Sequence, residues 1–410
     1  MTDFAAGAEA ATAAMRDLFA PTPCARNDYL SDRFGADIWL KREDLTPVRS
    51  YKLRGAFNAM RKLPGGRVAC ASAGNHAQGV AWMCRHLGVA GTIFMPVTTP
   101  GQKIDKTRLF GGEHVEIVLT GDFFDATLAA AQAHCAETGA HFLSPFDDDR
   151  VIEGQASVAV EMLEQCGGPP DMLVVPVGGG GLSAGMRAYL RAVGQMPEMR
   201  YVEPAGGASF SAALAHGGPV TLDALDGFVD GAAVARIGVR PFEILRDVSP
   251  DHLLRVPENR ICITIQELLN TEGIVLEPAG ALAVDALRDL APEIAGRRVV
   301  CVTTGGNFDF ERLPEVKERA MRFAGLKKYY VLRMPQRPGA LRDFLDILGP
   351  GDDIARFEYL KKSARNFGSV LIGIETTEPE SFARLEAEMD RRGFAWRDLT
   401  ADPTLADLLI

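Results

Sequence analysis

The sequence predicts an α/β protein in two parts: a large region built on parallel sheets, then a small α+β domain of ferredoxin-like topology. Three observations carry that expectation. Between residues 37 and 303, short apolar runs alternate with helical patterns, the spacing that places crossover helices over parallel strands. Near Gly325 this alternation stops, and the segments 329–334, 339–348, 355–361, 367–375, 378–392 and 395–399 read strand, helix, strand, strand, helix, strand, the split βαβ order. A chain of 410 residues exceeds what one core serves, so domains over 1–326 and 327–410 are expected.

The first region is justified element by element. Residues 5–18, rich in alanine, read as an exposed helix ended by Pro21-Thr22-Pro23. A strand over 37–41 and the charged turn Arg42-Glu43-Asp44 lead to Ser50-Tyr51-Lys52-Leu53-Arg54-Gly55 and a helix over 55–62. Lys52 stands at this junction beside an aromatic and a leucine, where desolvation lowers an amine's pKa and makes it a Schiff-base former. Taken alone, it is also read as a solvated lysine beginning a helix.

A strand over 67–73 breaks at Gly74-Asn75-His76 into a helix reaching residue 87. Asn75 reads as that helix's N-cap, and the helix N-terminus also offers free N–H groups and a positive dipole to a carboxylate. Strand 91–96, helix 103–110, strand 114–119 and helices 123–138 and 151–166 follow. The wholly apolar strand 171–177 ends in Gly178-Gly179-Gly180-Gly181-Leu182 before helix 183–193. Four glycines between a buried strand and a helix let the backbone wrap a phosphate with N–H donors. Locally this is matched by a dinucleotide reading, since Gly179-x-Gly181-x-x-Ala184 fits G-x-G-x-x-G/A and Glu203 closes strand 199–202 as a ribose-binding acid. Farther on, 260–270 reads as a strand running into a helix, and Glu277-Pro278-Ala279-Gly280-Ala281 opens another. Strand 298–303 ends in Thr304-Gly305-Gly306-Asn307, a strand end that a ligand can approach closely.

Composition narrows the function. With 47% hydrophobic and 24% charged residues the chain is of ordinary soluble, globular type, and its net charge of −10 excludes a basic nucleic-acid footprint. Seven scattered cysteines without a Cys-x-x-Cys pair suit reduced thiols and not zinc. The first 18 residues lack the basic start and apolar centre of a signal peptide, so a cytoplasmic protein is expected.

Together, Ser-Tyr-Lys-Leu-Arg-Gly at 50–55, Ser-Ala-Gly-Asn-His-Ala-Gln-Gly at 72–79, the glycines from 178 and Thr-Gly-Gly-Asn at 304–307 resemble the fold type II (tryptophan synthase β-like) pyridoxal-phosphate enzymes. More narrowly, the chain resembles the short, biosynthetic threonine dehydratases. Thr99-Pro100-Gly101-Gln102-Lys103, Gly154-Gln155, Asp230-Gly231-x-Ala233-Val234 and the Glu277 motif share that resemblance, which covers nearly the whole chain. The dinucleotide reading explains only one of these stretches.

The resemblance implies pyridoxal 5'-phosphate held as a Schiff base on Lys52, with Tyr51 beside the ring and Asn75 on its hydroxyl. It implies backbone donors from Gly178, Gly179, Gly180, Gly181 and Leu182 to the phosphate, and Thr304 at the pyridine nitrogen. Tyr51 stands where the family more often has phenylalanine, and Thr304 where serine is commoner. The substrate carboxylate is expected at Ser72, Ala73, Gly74, Asn75 and His76. Lys52, once freed, is the base for the Cα proton, and L-threonine yields 2-oxobutanoate and ammonia. Serine racemases of this fold carry a second serine where this chain has Ala73, which favours a lyase. Those relatives also hold a divalent ion through a glutamate and an aspartate; Glu203 fits the first and Ser209 replaces the second, so no metal is expected.

The segment after Gly325 resembles the ACT-like regulatory domain of threonine dehydratases, with Pro335-Gln336-Arg337-Pro338-Gly339-Ala340-Leu341 at its first turn. That implies inhibition by isoleucine, with valine as an antagonist, in a homotetramer or dimer. The alternatives are a serine dehydratase or racemase acting on L-serine, a catabolic threonine dehydratase, and an amino-acid sensor without turnover.

Overall fold

The computed structural model describes residues 2–360 and 366–402. The apolar runs form two largely parallel sheets, each with its own core. The larger sheet has the order Cys24–Arg26, Asp37–Arg42, Arg298–Thr303, Met172–Pro176, Glu198–Pro204, Leu253–Val256, and only its first strand runs antiparallel to its neighbour. Its central strands are buried along nearly their whole length because helices cover both faces, which is why they read as unbroken apolar runs. Leu173, Val175, Met162, Leu190 and Tyr201 share the core beneath them. The smaller sheet, Val115–Leu119, Gly91–Met95, Val68–Ala71, His141–Phe142, is parallel throughout and shares a core with Val80, Met83, Ile93 and Leu53.

The chain divides after Phe308 into two compact units. In the second, the strands Asp353–Leu360, Phe367–Glu375, Lys327–Pro335 and Ala395–Asp398 form an antiparallel sheet in that order, with helices Ala340–Leu345 and Glu380–Arg391 between them in sequence. This is the ferredoxin-like arrangement expected from the strand and helix order. Tyr330, Leu332, Ile372, Phe382 and Leu385 form its core. The expected strand end at Lys361 lies outside the described residues.

Two expectations are corrected. The first helix, Thr2–Met15, is not an exposed appendage: Ala8, Ala11 and Met15 are buried, and it packs on the helix Asp149–Cys166. Small alanine side chains allow that close approach and leave no amphipathic stripe in the sequence. Arg260 lies inside the helix Glu258–Glu272, and the strand is Leu253–Val256 instead. Ile261, Cys262, Ile265 and Leu268 are buried at a spacing of three and four, the period of one helix face, and Pro257 separates strand from helix. The strands Cys24–Arg26 and His141–Phe142 have no counterpart among the expected elements; with three and two residues they carry no readable period. No helix among the described residues is long and apolar enough to cross a membrane.

Candidate active site

The lysine-bearing loop is stitched to the end of a strand distant in sequence. Ser50 pairs with Gly305, Tyr51 N donates to Thr304 O at 3.2 Å, and Gly306 N donates to Arg49 O at 3.0 Å. To make that turn Arg49 adopts φ 56°, the only positive φ at a residue other than glycine among the described residues. Lys52 therefore starts the helix Lys52–Arg61, three residues earlier than the sequence suggests, directly beside Thr304.

The Lys52 amine donates to Pro145 O at 3.0 Å and lies 5.2 Å from the Tyr51 ring centre and 5.9 Å from that of Phe146. Part of the side chain stays accessible, yet its surroundings strip away solvation and lower its pKa to about 8, with Glu277 acting in the opposite sense. A substantial fraction of the amine is thus neutral near physiological pH.

Facing it, Asn75 is the first residue of the helix Asn75–Leu87 and not its N-cap, which is Gly74. Its side chain, released from capping, reaches across the site instead. Nδ2 donates to Glu277 Oε1 at 2.6 Å, and Oδ1 accepts from Asn307 Nδ2 at 2.6 Å. Glu277 is buried, and burial, followed by the Asp230 charge, raises its pKa to about 7. Gly305 leaves room for this carboxylate: a Cβ there would come 2.2 Å from Glu277 Oε1 and push it from its place. His76 turns inward, sharing a hydrogen bond of 3.0 Å with Leu143 O through Nε2. Burial and the neighbouring Lys52 drop its pKa to about 3, so it stays neutral and its ring is not an anion clamp. The rest of the turn is backbone: Gly74 N donates to Ser72 Oγ at 3.2 Å, and Ala73 contributes only a methyl group.

The glycine loop packs on Phe146, the ring that lies near the Lys52 amine. Gly180 takes φ 85°, and the helix Gly181–Ala192 begins immediately after it, with its first-turn N–H groups at the loop. A Cβ on Gly179 would meet Phe146 at 2.1 Å, and one on Gly180 would meet Pro241 at 2.8 Å, so the cradle exists only without side chains. Glu203 is committed elsewhere, accepting from Phe210 N at 2.6 Å and from Ser211 N at 2.9 Å, which removes it from a dinucleotide role. Of the hydroxyl pair, Thr303 Oγ1 donates to Asp44 at 2.8 Å, leaving Thr304 as the one at the site.

The family model of pyridoxal-phosphate dependent enzymes matches residues 15–305, and that of the C-terminal regulatory domain of threonine dehydratase matches residues 318–409. The biosynthetic L-threonine dehydratase of Bacillus subtilis (strain 168) is 47% identical over 401 residues, covering 97% of this chain and 95% of its own. The chain belongs to the pyridoxal-phosphate-dependent threonine dehydratases. Its likeness to the dehydratase of Lactococcus lactis is 45% identity over 95% of each chain. Among solved structures, the processed threonine deaminase isoform 2 of Solanum lycopersicum matches with a TM-score of 0.72 and 34% identity, over 78% of this chain and 94% of its own.

The residues present fit pyridoxal phosphate, the cofactor of this dehydratase family. The side-chain-free cradle at 178–181 would take the phosphate, and the desolvated Lys52 amine suits a carbonyl partner. Three further groups of the site have no role legible in the sequence. Glu277 and Asn307 are visible there only as letters in family-like motifs, whereas Phe146, which packs on the glycine loop, gives no signal at all.

Proposed function

We propose that the chain deaminates L-threonine to 2-oxobutanoate and ammonia, the first step of isoleucine biosynthesis, and that isoleucine inhibits it through the second domain. The observation that supports this most directly is the convergence of Lys52, Asn75, Thr304 and the 178–182 loop in a chain related to dehydratases along nearly its full length.

Bound pyridoxal phosphate supplies an electron sink for a negative charge developing at the substrate Cα. The remainder is done by the chain. The Lys52 amine, largely neutral above about pH 8, takes the Cα proton. Thr304 would offer the pyridine nitrogen a neutral hydroxyl, which would not demand its protonation and so would favour relief of the charge at Cα by loss of the β-hydroxyl. First-turn N–H groups of the helix Asn75–Leu87 receive the substrate carboxylate, with Ser72 and Gly74 shaping the turn and neutral His76 bracing it from behind. The Asn75 amide, fixed by Glu277 and Asn307, keeps one N–H that would hold the ring hydroxyl of the cofactor. Water leaves first and returns when the C–N bond is hydrolysed, so threonine balances 2-oxobutanoate plus ammonia. With Ala73 on the opposite face, no side chain there returns a proton to Cα.

We assign catalysis to residues 1–326 and regulation to 327–410, in a cytoplasmic homotetramer or dimer, with valine opposing isoleucine. The test is the rate of 2-oxo acid formation from L-threonine by the purified protein, with and without isoleucine. Turnover suppressed by isoleucine supports both assignments. Turnover indifferent to it refutes the regulatory one, and absence of turnover refutes the catalytic one.

A further inference from the structure

The thiols of Cys24 and Cys166 lie 3.5 Å apart, brought together across 142 residues of sequence. Cys24 is buried on the edge strand Cys24–Arg26, and Cys166 is the half-buried last residue of the helix Asp149–Cys166. Both are free thiols. A helix C-terminus ordinarily disfavours a thiolate, but here Arg298 Nη1 donates to Cys166 O at 3.3 Å and brings a positive charge to that end. The charges of Arg298 and Lys41 favour the Cys166 thiolate, and burial disfavours that of Cys24. Cys166 is the more exposed of the two and the one a small oxidant reaches first, with Cys24 as its buried partner.

The residues flanking the two cysteines lead to the catalytic helix. Thr22, two positions before Cys24, gives its carbonyl to Lys41 Nζ at 2.6 Å and to Gln165 Nε2 at 3.0 Å, and Gln165 directly precedes Cys166. Lys41 reaches Glu161 at 2.6 Å, and Thr22 Oγ1 reaches Glu43 at 2.6 Å. Both carboxylates grip Arg54 at 2.7 Å, two residues after Lys52 on the same helix. Lys41, Glu43 and Arg54 are fully buried and Glu161 nearly so; burial alone would raise Glu161, yet Arg54 and Lys41 keep it at about 2. In a fully buried cluster of paired charges, displacing one member strains or breaks the pairs it makes with the others.

We infer that Cys24 and Cys166 are an oxidisable dithiol, closed to a disulfide by hydrogen peroxide, and that closure moves the Thr22–Arg54 cluster and with it the Lys52 helix. The Cys166 sulfur attacks a peroxide oxygen, forming S–O as O–O breaks, and the released hydroxide leaves as water after taking a proton. The Cys24 sulfur then attacks Cys166, forming S–S as S–O breaks, and its proton leaves with the second water. Two thiols lose two electrons and one peroxide gains them. Closing from 3.5 Å to a bond of about 2.05 Å brings the two sulfurs together by roughly 1.5 Å, and whatever side-chain rotation does not take up is passed to the strand and the helix end, at residues adjoining Thr22 and Gln165.

The full-length holoenzyme is treated with graded hydrogen peroxide, digested without reductant and mapped by mass spectrometry, and its turnover of L-threonine is followed alongside. The expected result is a 24–166 crosslinked peptide whose yield tracks a loss of turnover of at least threefold, both reversed by dithiothreitol and both absent in Cys166→Ser and Cys166→Ala. No crosslink at doses that oxidise other thiols overturns the inference, as does a crosslink with unchanged turnover or equal inactivation of the Cys166 variants. The turnover arm rests on the activity proposed above. Inactivity of the untreated enzyme would be a failure of that reading, while the crosslink map would still decide whether the dithiol closes.

Discussion

Asn75 donates from Nδ2 to Glu277 Oε1 at 2.6 Å, joining two helix starts 202 residues apart. Because Asn307 donates to Asn75 Oδ1, a flipped amide would set oxygen against carboxylate and N–H against N–H. The orientation of the amide is thereby fixed before any ligand arrives, and Glu277 becomes the electrostatic neighbour of Lys52.

Glu277→Gln keeps an acceptor for Asn75 but removes the charge that raises the Lys52 pKa. In the cofactor-free protein, acylation of Lys52 should have its midpoint near pH 8 in the wild type and lower, by a fraction of a pH unit, in the variant. A midpoint near the usual 10.4 or so for lysine in either protein would refute the desolvated amine.

The same substitution has a signed effect on stability. The folded-state pKa of Glu277 is raised from 4.5 to about 7, so folding disfavours its ionised form. Below pH 4.5 there is no cost; the cost grows as pH rises through that window and is complete above about 7. The Tm of Glu277→Gln minus that of the wild type should therefore increase from pH 4.5 to pH 8. A flat difference would show that the carboxyl is not perturbed.

Lys52→Ala should lower turnover by at least about a thousandfold, since anchor and base are lost together, with the circular dichroism spectrum preserved. Retention of more than a few per cent of the activity would move the base elsewhere.

Gly179→Ala forces a methyl group into the Phe146 ring, and Gly180→Ala adds a left-handed backbone penalty to a clash with Pro241. Each should cost about 1–3 kcal/mol of stability and weaken pyridoxal phosphate binding at least tenfold, as read by cofactor titration. Unchanged affinity would place the phosphate outside this loop.

On the proposed reading Ala73 stands on the second face of Cα, where its methyl group provides no proton donor. Incubation with L-serine should give pyruvate with D-serine below a hundredth of it, measured by chiral chromatography. D-serine formed as fast as pyruvate would defeat the argument from that alanine.

The fold is largely legible in the sequence because both sheet types write their burial into it: unbroken apolar runs such as Met172–Pro176, and the strand and helix order after Gly325. The Lys52, Asn75 and glycine-loop positions are legible because each interrupts such an element at its end. Phe146 is not, since a lone aromatic after Pro145 gains its meaning only from Gly179 packing against it. Glu277 is equally hidden: before Pro278 it resembles any helix-starting acid, and only the contact with Asn75 reveals its place. Arg260 misleads because the apolar residues around it suit a strand or a helix until Pro257 fixes the boundary.

The stitching of Ser50 and Tyr51 to Thr304 and Gly305 also bears on how the protein is made. The strand Asp37–Arg42 finds its parallel neighbour only in Arg298–Thr303, so the lysine emerges from the ribosome long before the segment that shapes its surroundings. Until about three-quarters of the chain has been synthesised, the nascent polypeptide carries the Lys52 amine without the strand end that lies beside it, and on the proposed role of Lys52 cofactor capture is confined to the end of translation or later.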